Sequence, residues 1–176
     1  GDDIEKKRAN AIKILGRFLY KEMAKTDLRL VSFNSGKMHN AIPRDGRFVI
    51  AVPNADKEMI RADWNIHASE VEDEFHVSDV QMVFNMESTD GDKVIDKSSN
   101  DKFIRSIQAV DAGVFAMCQD EAFSWMVETS SNVASVITES DKITVVASQR
   151  SNVMSNLDNQ CNTVKATFEL AGAKVI

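Results

Sequence analysis

Three places in the sequence set polar chemistry beside strand-like runs: Asn40 in HNAIP, Thr129 and Asn132 in ETSSN, and Arg150 at the end of ITVVASQR. An amide brings N–H donors, hydroxyls bring both donors and acceptors, and a guanidinium presents a planar fork that matches a carboxylate in two bonds. Together these groups can hold a peptide-like ligand by its carbonyl and its carboxylate. Each also has an ordinary structural reading. Asn40 can simply turn the chain before Pro43, Thr129 to Asn132 can be a polar turn ahead of a strand, and Arg150 can be a cation snorkelling at a strand end.

The titratable residues offer little else. The histidines are His39, His67 and His76. His67 falls on the apolar stripe of a helix and reads as a packed core residue, and the acidic run EVEDEF beside His76 reads as a solvated helix face. Cys118 and Cys161 stand far apart without a C-x-x-C partner, so both read as ordinary thiols, with Cys161 expected to be buried on a helix. No H-E-x-x-H, G-x-S-x-G, Walker or G-x-G-x-x-G pattern is present, so no self-sufficient hydrolytic or nucleotide-binding centre is expected.

The elements that must position the three polar sites follow from periodicity. Asp2 and Glu5 are spaced as a capping box, and Ile12, Leu15, Leu19 and Met23 make one helical stripe, predicting a helix from Asp3 to Lys25. DLRLVSF (27–33) and RFVIAVP (47–53) read as strands, with the Asn40 segment connecting them. Ile60, Trp64, His67, Val71 and Phe75 predict a helix over 56–75. Val80 to Met86 alternates with period two and predicts a strand with Val80, Met82, Phe84 and Met86 on one face. The order then restarts: a helix over 101–110, strands at NVASVIT and KITVVASQ, a helix through Met154, Leu157, Cys161, Val164 and Phe168, and a last strand AKVI. The expected class is α+β, an antiparallel sheet with helices packed on one face, in two related α-β-β-α-β halves at 1–90 and 98–176.

At 176 residues and 43% hydrophobic content the chain has the size and composition of a single globular domain. A net charge of −6 with no Lys/Arg stripe argues against nucleic acid as a partner. No apolar run approaches the roughly 18–20 residues that span a bilayer, so no membrane partner is expected and a cytoplasmic location is.

GDDIEKKRANAIKILGRFL, DLRLVSFNSGKMHNAIPRDG, VETSSN and ITVVASQRSNV resemble, in order and spacing, the lid or dimerisation domain of the aminoacyl-histidine dipeptidases (Xaa-His dipeptidase, peptidase D). These are two-zinc exopeptidases related to carboxypeptidase G and the carnosinases. The resemblance covers essentially the whole chain and implies one lid domain, 1–176, inserted in a larger enzyme, with Gly1 matching the last glycine of the segment that precedes it. It implies a catalytic role for Asn40, as the asparagine near the scissile carbonyl. It implies that Arg150 receives the substrate's terminal carboxylate and that Thr129 and Asn132 face the cleft. The lid histidine of the family would fall just before Gly1, and His39 matches no family histidine.

The resemblance further implies zinc held by the parent enzyme's own catalytic domain and none by this chain, a dipeptide substrate of the Xaa-His type, and a homodimer. The reading of a different class is a free-standing α/β module for oligomerisation or for binding a small metabolite as a regulator.

Overall fold

Asn10 decides where the first helix starts. The computed structural model describes residues 4–91 and 93–176, and helix α1 runs Ala11–Glu22, shorter than the helix expected over 3–25. Asn10 is extended, and its side-chain oxygen accepts from the N–H groups of Ile12 and Lys13, which a helix start otherwise leaves orphaned. Ahead of it Ile4–Lys6 make a 3-10 turn and Lys7 takes φ 51°, a break that a continuous helix does not contain. Asp2 of the expected capping box lies outside the described residues. The stripe itself is as read, with Ile12, Leu15 and Leu19 buried beside Phe18.

Strands β1 (Arg29–Ser35) and β2 (Gly46–Ala51) pair antiparallel, close to where the runs DLRLVSF and RFVIAVP placed them. Helix α2 (Lys57–Glu74) follows and buries Ile60, Trp64, His67 and Val71, the expected face. Val80 to Met86 corrects the expectation of a strand. Met82, Phe84 and Met86 are half-buried, alternating with exposed neighbours, and the Phe84 ring meets Trp64 edge-on at 5.7 Å. Yet it joins no ladder among the described residues, and Val80 is 80% exposed. Alternation requires only an extended chain with one side on an apolar surface; a strand also needs a neighbour.

Helix α3 (Lys97–Ala109) starts earlier than expected because Asp96 accepts from the Ser99 N–H at 3.0 Å. Its buried Asn100 accepts from Leu30 N–H at 2.8 Å and donates to the Leu28 carbonyl at 3.1 Å, tying α3 to β1 beside that strand's register shift. Strand β3 (Gly113–Met117) was not legible in advance. Strand β4 (Val127–Thr138) begins five residues before NVASVIT, and β5 (Ile143–Ser151) takes in Arg150. Helix α4 (Met154–Leu170) buries Gln160 and Val164. Cys161 is one step round that helix and is exposed, against expectation. Nor does AKVI form a strand: Gly172 at φ 77° closes α4, Ala173 N–H returns to the Phe168 carbonyl at 3.0 Å, and Ile176 is fully exposed.

The sheet is five-stranded and antiparallel in every described pairing, in the order β2-β1-β4-β3 with β5 also on β4. Helices α1, α3 and α4 pack on the sheet, α2 packs on α1 and meets β2 through Trp64 and Phe48, and the core includes Phe18, Phe33, Phe103, Ile104, Ile107 and Val133. The class is the expected α+β. Both stretches contain α-β-β-α, but β3 is added in the second, and neither ends in the expected strand.

Candidate functional site

Strand β4 is the hub. β5 pairs with it from Thr129↔Ser151 to Thr138↔Ile143, so β3 and β1 must share its other edge. β3 takes Val127 to Ser131 there, and β1 pairs with it at Ser35↔Val136, with Thr138 bonded to Phe33 and Asn34 beyond. The stretch between is covered by Asn10 and the loop after β1. Asn10 Nδ2 donates to the Val133 carbonyl at 2.9 Å and to Asn132 Oδ1 at 3.1 Å. Asn132 Nδ2 donates in turn to the Ala41 carbonyl at 2.9 Å. Two further bonds hold the loop: Ala11 N–H to the Pro43 carbonyl at 3.0 Å, and Ser35 Oγ to the Asp45 carbonyl at 2.7 Å. Gly36 lets the loop leave β1, since at φ 74° an added Cβ would lie 2.0 Å from the Ala134 carbonyl oxygen.

Asn40 stands on this anchored loop, exposed, and its amide makes no hydrogen bond among the described residues. Arg150 is opposite Ser130 in the β4–β5 register, and Asn132 is opposite Ser148. These four residues therefore share a sheet face. The Arg150 guanidinium is exposed and pairs with no acid among the described residues. Asn40, Asn132 and Arg150 line one cavity of about 1610 Å³, which continues along β2 to the extended 78–91 segment.

Thr129 does not line it. Register puts Thr129 on the opposite face, where its hydroxyl meets Ser151 Oγ at 2.8 Å and Glu128 Oε1 at 3.1 Å. Glu128 accepts from Asn156 Nδ2 at 2.6 Å, so this cluster ties β4 and β5 to α4. The run ETSSN is not a polar turn: Glu128 to Asn132 are all buried in β4, and the named bonds of Thr129 and Asn132 satisfy their polar groups.

Arg44, Arg47 and Lys57 also line the cavity without a partner among the described residues. Arg8 pairs with Asp79, and Arg61 with Glu58. With Arg150, six cationic side chains face the acids Asp45, Asp79 and Glu87 around this space, a local excess of positive charge in an acidic chain that suits an anionic ligand. Sequence reading missed Arg44 and Arg47, although PRDGR places them three residues apart immediately after the Asn40 turn.

The other titratable groups serve the fold. His67 is buried, and its Nε2–H donates to the Ile14 carbonyl at 3.1 Å. Burial lowers its pKa first of all, against the opposing effect of that hydrogen bond. Glu70 and Glu74 of the acidic run pair with Lys21 and Arg17 of α1. Burial pushes the Lys13 ammonium down to about 8, while its Nζ donates to the carbonyls of Ile107, Gln108 and Val110 at the end of α3. Among the described residues no three His, Cys, Asp or Glu converge as a metal site, and no helix is long and apolar enough to cross a membrane.

No family model matches the chain. It is 30% identical over 175 residues to the cytosol non-specific dipeptidase of Escherichia coli (strain K12), which takes in 99% of this chain and 36% of that protein. The crystal structure of aminoacylhistidine dipeptidase from Vibrio alginolyticus superposes with a TM-score of 0.92 at 32% identity, over 98% of this chain and 35% of that one. Over nearly its whole length, therefore, the chain is homologous in sequence and fold to a segment that makes up about a third of these dipeptidases.

Proposed function

We propose that the chain is the lid of a dipeptidase, with Asn40 and Arg150 as its substrate contacts. The observation that carries this is the pair of unpartnered groups, amide and guanidinium, on one cavity in a chain homologous to dipeptidase segments. The two groups bind opposite ends of one substrate. Arg150 takes the terminal carboxylate with its fork, helped by the positive field of Arg44, Arg47 and Lys57. Asn40 directs an N–H at the peptide carbonyl oxygen, where negative charge grows during attack, from a loop pinned on both sides of Ile42. Thr129 has a supporting role under the sheet.

The described residues do not fit a zinc site. In this reading the zinc of the parent enzyme is held by residues outside this chain, and the lid's part is binding and charge stabilisation. Dipeptides of the Xaa-His type are then the substrate, in line with the name of the Vibrio alginolyticus enzyme, and the cytosol is the location, in line with the name of the Escherichia coli one. For a homodimer contact we favour β3 and the turn after it, where Val114, Phe115, Met117, Phe123, Trp125 and Met126 are all more than a third exposed. Such a cluster is unusual on a surface that stays in water.

The test is Asn40→Ala in the full-length protein, assayed on a Xaa-His dipeptide. Loss of one oxyanion donor lowers kcat by about 10²–10³. An unchanged kcat removes Asn40 from the site. The separate chain 1–176 should neither hold stoichiometric zinc in calorimetry nor hydrolyse the dipeptide.

A further inference from the structure

The bonds around Asn132 have a direction. Asn10 Oδ1 is committed to α1, accepting from Ile12 N–H at 3.0 Å and Lys13 N–H at 3.3 Å. That leaves Nδ2 facing β4, where its hydrogens go to Asn132 Oδ1 and the Val133 carbonyl. Asn132 must then present Nδ2 to the Ala41 carbonyl. Turning either amide over would set oxygen against oxygen or N–H against N–H, so the helix start dictates the orientation of both.

Ala41 directly follows Asn40. Downstream, Ile42 is restricted by the buried Pro43, whose carbonyl is held by Ala11. Upstream, among the described residues, the turn is closed only by a 3.5 Å contact from Ala41 N–H to the Met38 carbonyl. The fixed side of Asn40 is thus the side that Asn132 holds. Asn132 lines the cavity, but it is 8% exposed and both ends of its amide are engaged.

We infer that Asn10 and Asn132 are positioning residues, an amide relay from the α1 N-terminus through β4 that sets Asn40 for the carbonyl, and that Asn132 is not itself a substrate contact. The inference rests on the reading of Asn40 given above. A capping role alone would be filled by Ser, Thr or Asp at position 10. Asparagine is needed because the same side chain must accept from the helix and donate to the strand.

A double-mutant cycle in the full-length protein tests it: Asn40→Ala, Asn132→Ala and the pair, with kcat and KM measured on a Xaa-His dipeptide and circular dichroism as the check on folding. Misplacing Asn40 lowers kcat on the order of 10- to 100-fold, with KM nearly unchanged. In the Asn40→Ala background the Asn132 substitution should then do nothing further. Asn10→Asp keeps the cap but cannot donate to Asn132, so it should lower kcat in the same way, and it replaces Asn132→Ala in the cycle if that variant does not fold. Losses that multiply in the double variant, or a normal kcat for Asn10→Asp, overturn the relay while leaving Asn40 a substrate contact. An Asn40→Ala enzyme with full kcat defeats both readings.

Discussion

Replacing Arg150 by alanine separates a functional guanidinium from a structural one. In the fold Arg150 is exposed at one end of β5 and its guanidinium makes no hydrogen bond or ion pair among the described residues, so truncating the side chain should cost stability no more than about 0.5 kcal/mol. Catalysis is another matter. Truncating one member of a buried, hydrogen-bonded charge pair costs about 2–5 kcal/mol. Two features of the site place Arg150→Ala near the lower end: the guanidinium is open to solvent, and Arg44, Arg47 and Lys57 share the cavity and keep part of the attraction for a carboxylate. About 2 kcal/mol corresponds to a roughly 30-fold loss in kcat/KM. Arg150→Lys should recover only part, because an ammonium is a point charge without the fork. The assay is steady-state hydrolysis of a Xaa-His dipeptide by the full-length protein at two salt concentrations, with Tm and zinc content as controls. The remaining cations also predict that KM of wild type rises with salt. Normal kcat/KM for Arg150→Ala, or full rescue by lysine, would refute the assignment.

Further tests address the fold and the assembly. Because burial lowers the folded pKa of His67, the unfolded chain binds the proton first. Stability therefore rises with pH up to about 6.5 and falls below it, and urea titrations at pH 5 and 7.5 should differ less in His67→Gln than in wild type. Gly36→Ala meets both φ 74° and the Ala134 carbonyl, so Tm should drop by several degrees, corresponding to about 1–3 kcal/mol. An unchanged Tm would show that the loop leaves β1 differently. Trp125 is 68% exposed. In light scattering over a concentration series, Trp125→Glu should shift a dimer towards monomer, and an unaltered dimer would move the contact away from β3.

Local patterns carried much of the architecture. The stripe of α2 and the β-branched and aromatic runs of β1 and β2 were legible because each is set by side chains a few residues apart. Position in the sheet was not. Val80 to Met86 has the alternation of a strand and contacts the core, but a cavity lies between it and β2, and none of the described residues pairs with it. ETSSN looks like a turn by composition. Its burial in β4 depends on partners distant in the chain, Asn10 and Ala41 for Asn132 and Ser151 for Thr129. The same folding puts Asn40 and Arg150 on one cavity with Asn132. Thr129, only three residues before Asn132, lies on the other face because side chains alternate along a strand. Cys161 shows how sharp a helical face is: one residue from buried Gln160, it is in solvent.

The central claim is that Asn40 and Arg150 grip the two ends of one dipeptide. A crystal structure of the full-length protein with a non-hydrolysable dipeptide analogue tests it most directly. The Arg150 fork should lie on the terminal carboxylate, with an Asn40 N–H within about 3 Å of the oxygen that replaces the peptide carbonyl. An analogue bound with its carboxylate on other residues, and with Asn40 facing solvent, would contradict it.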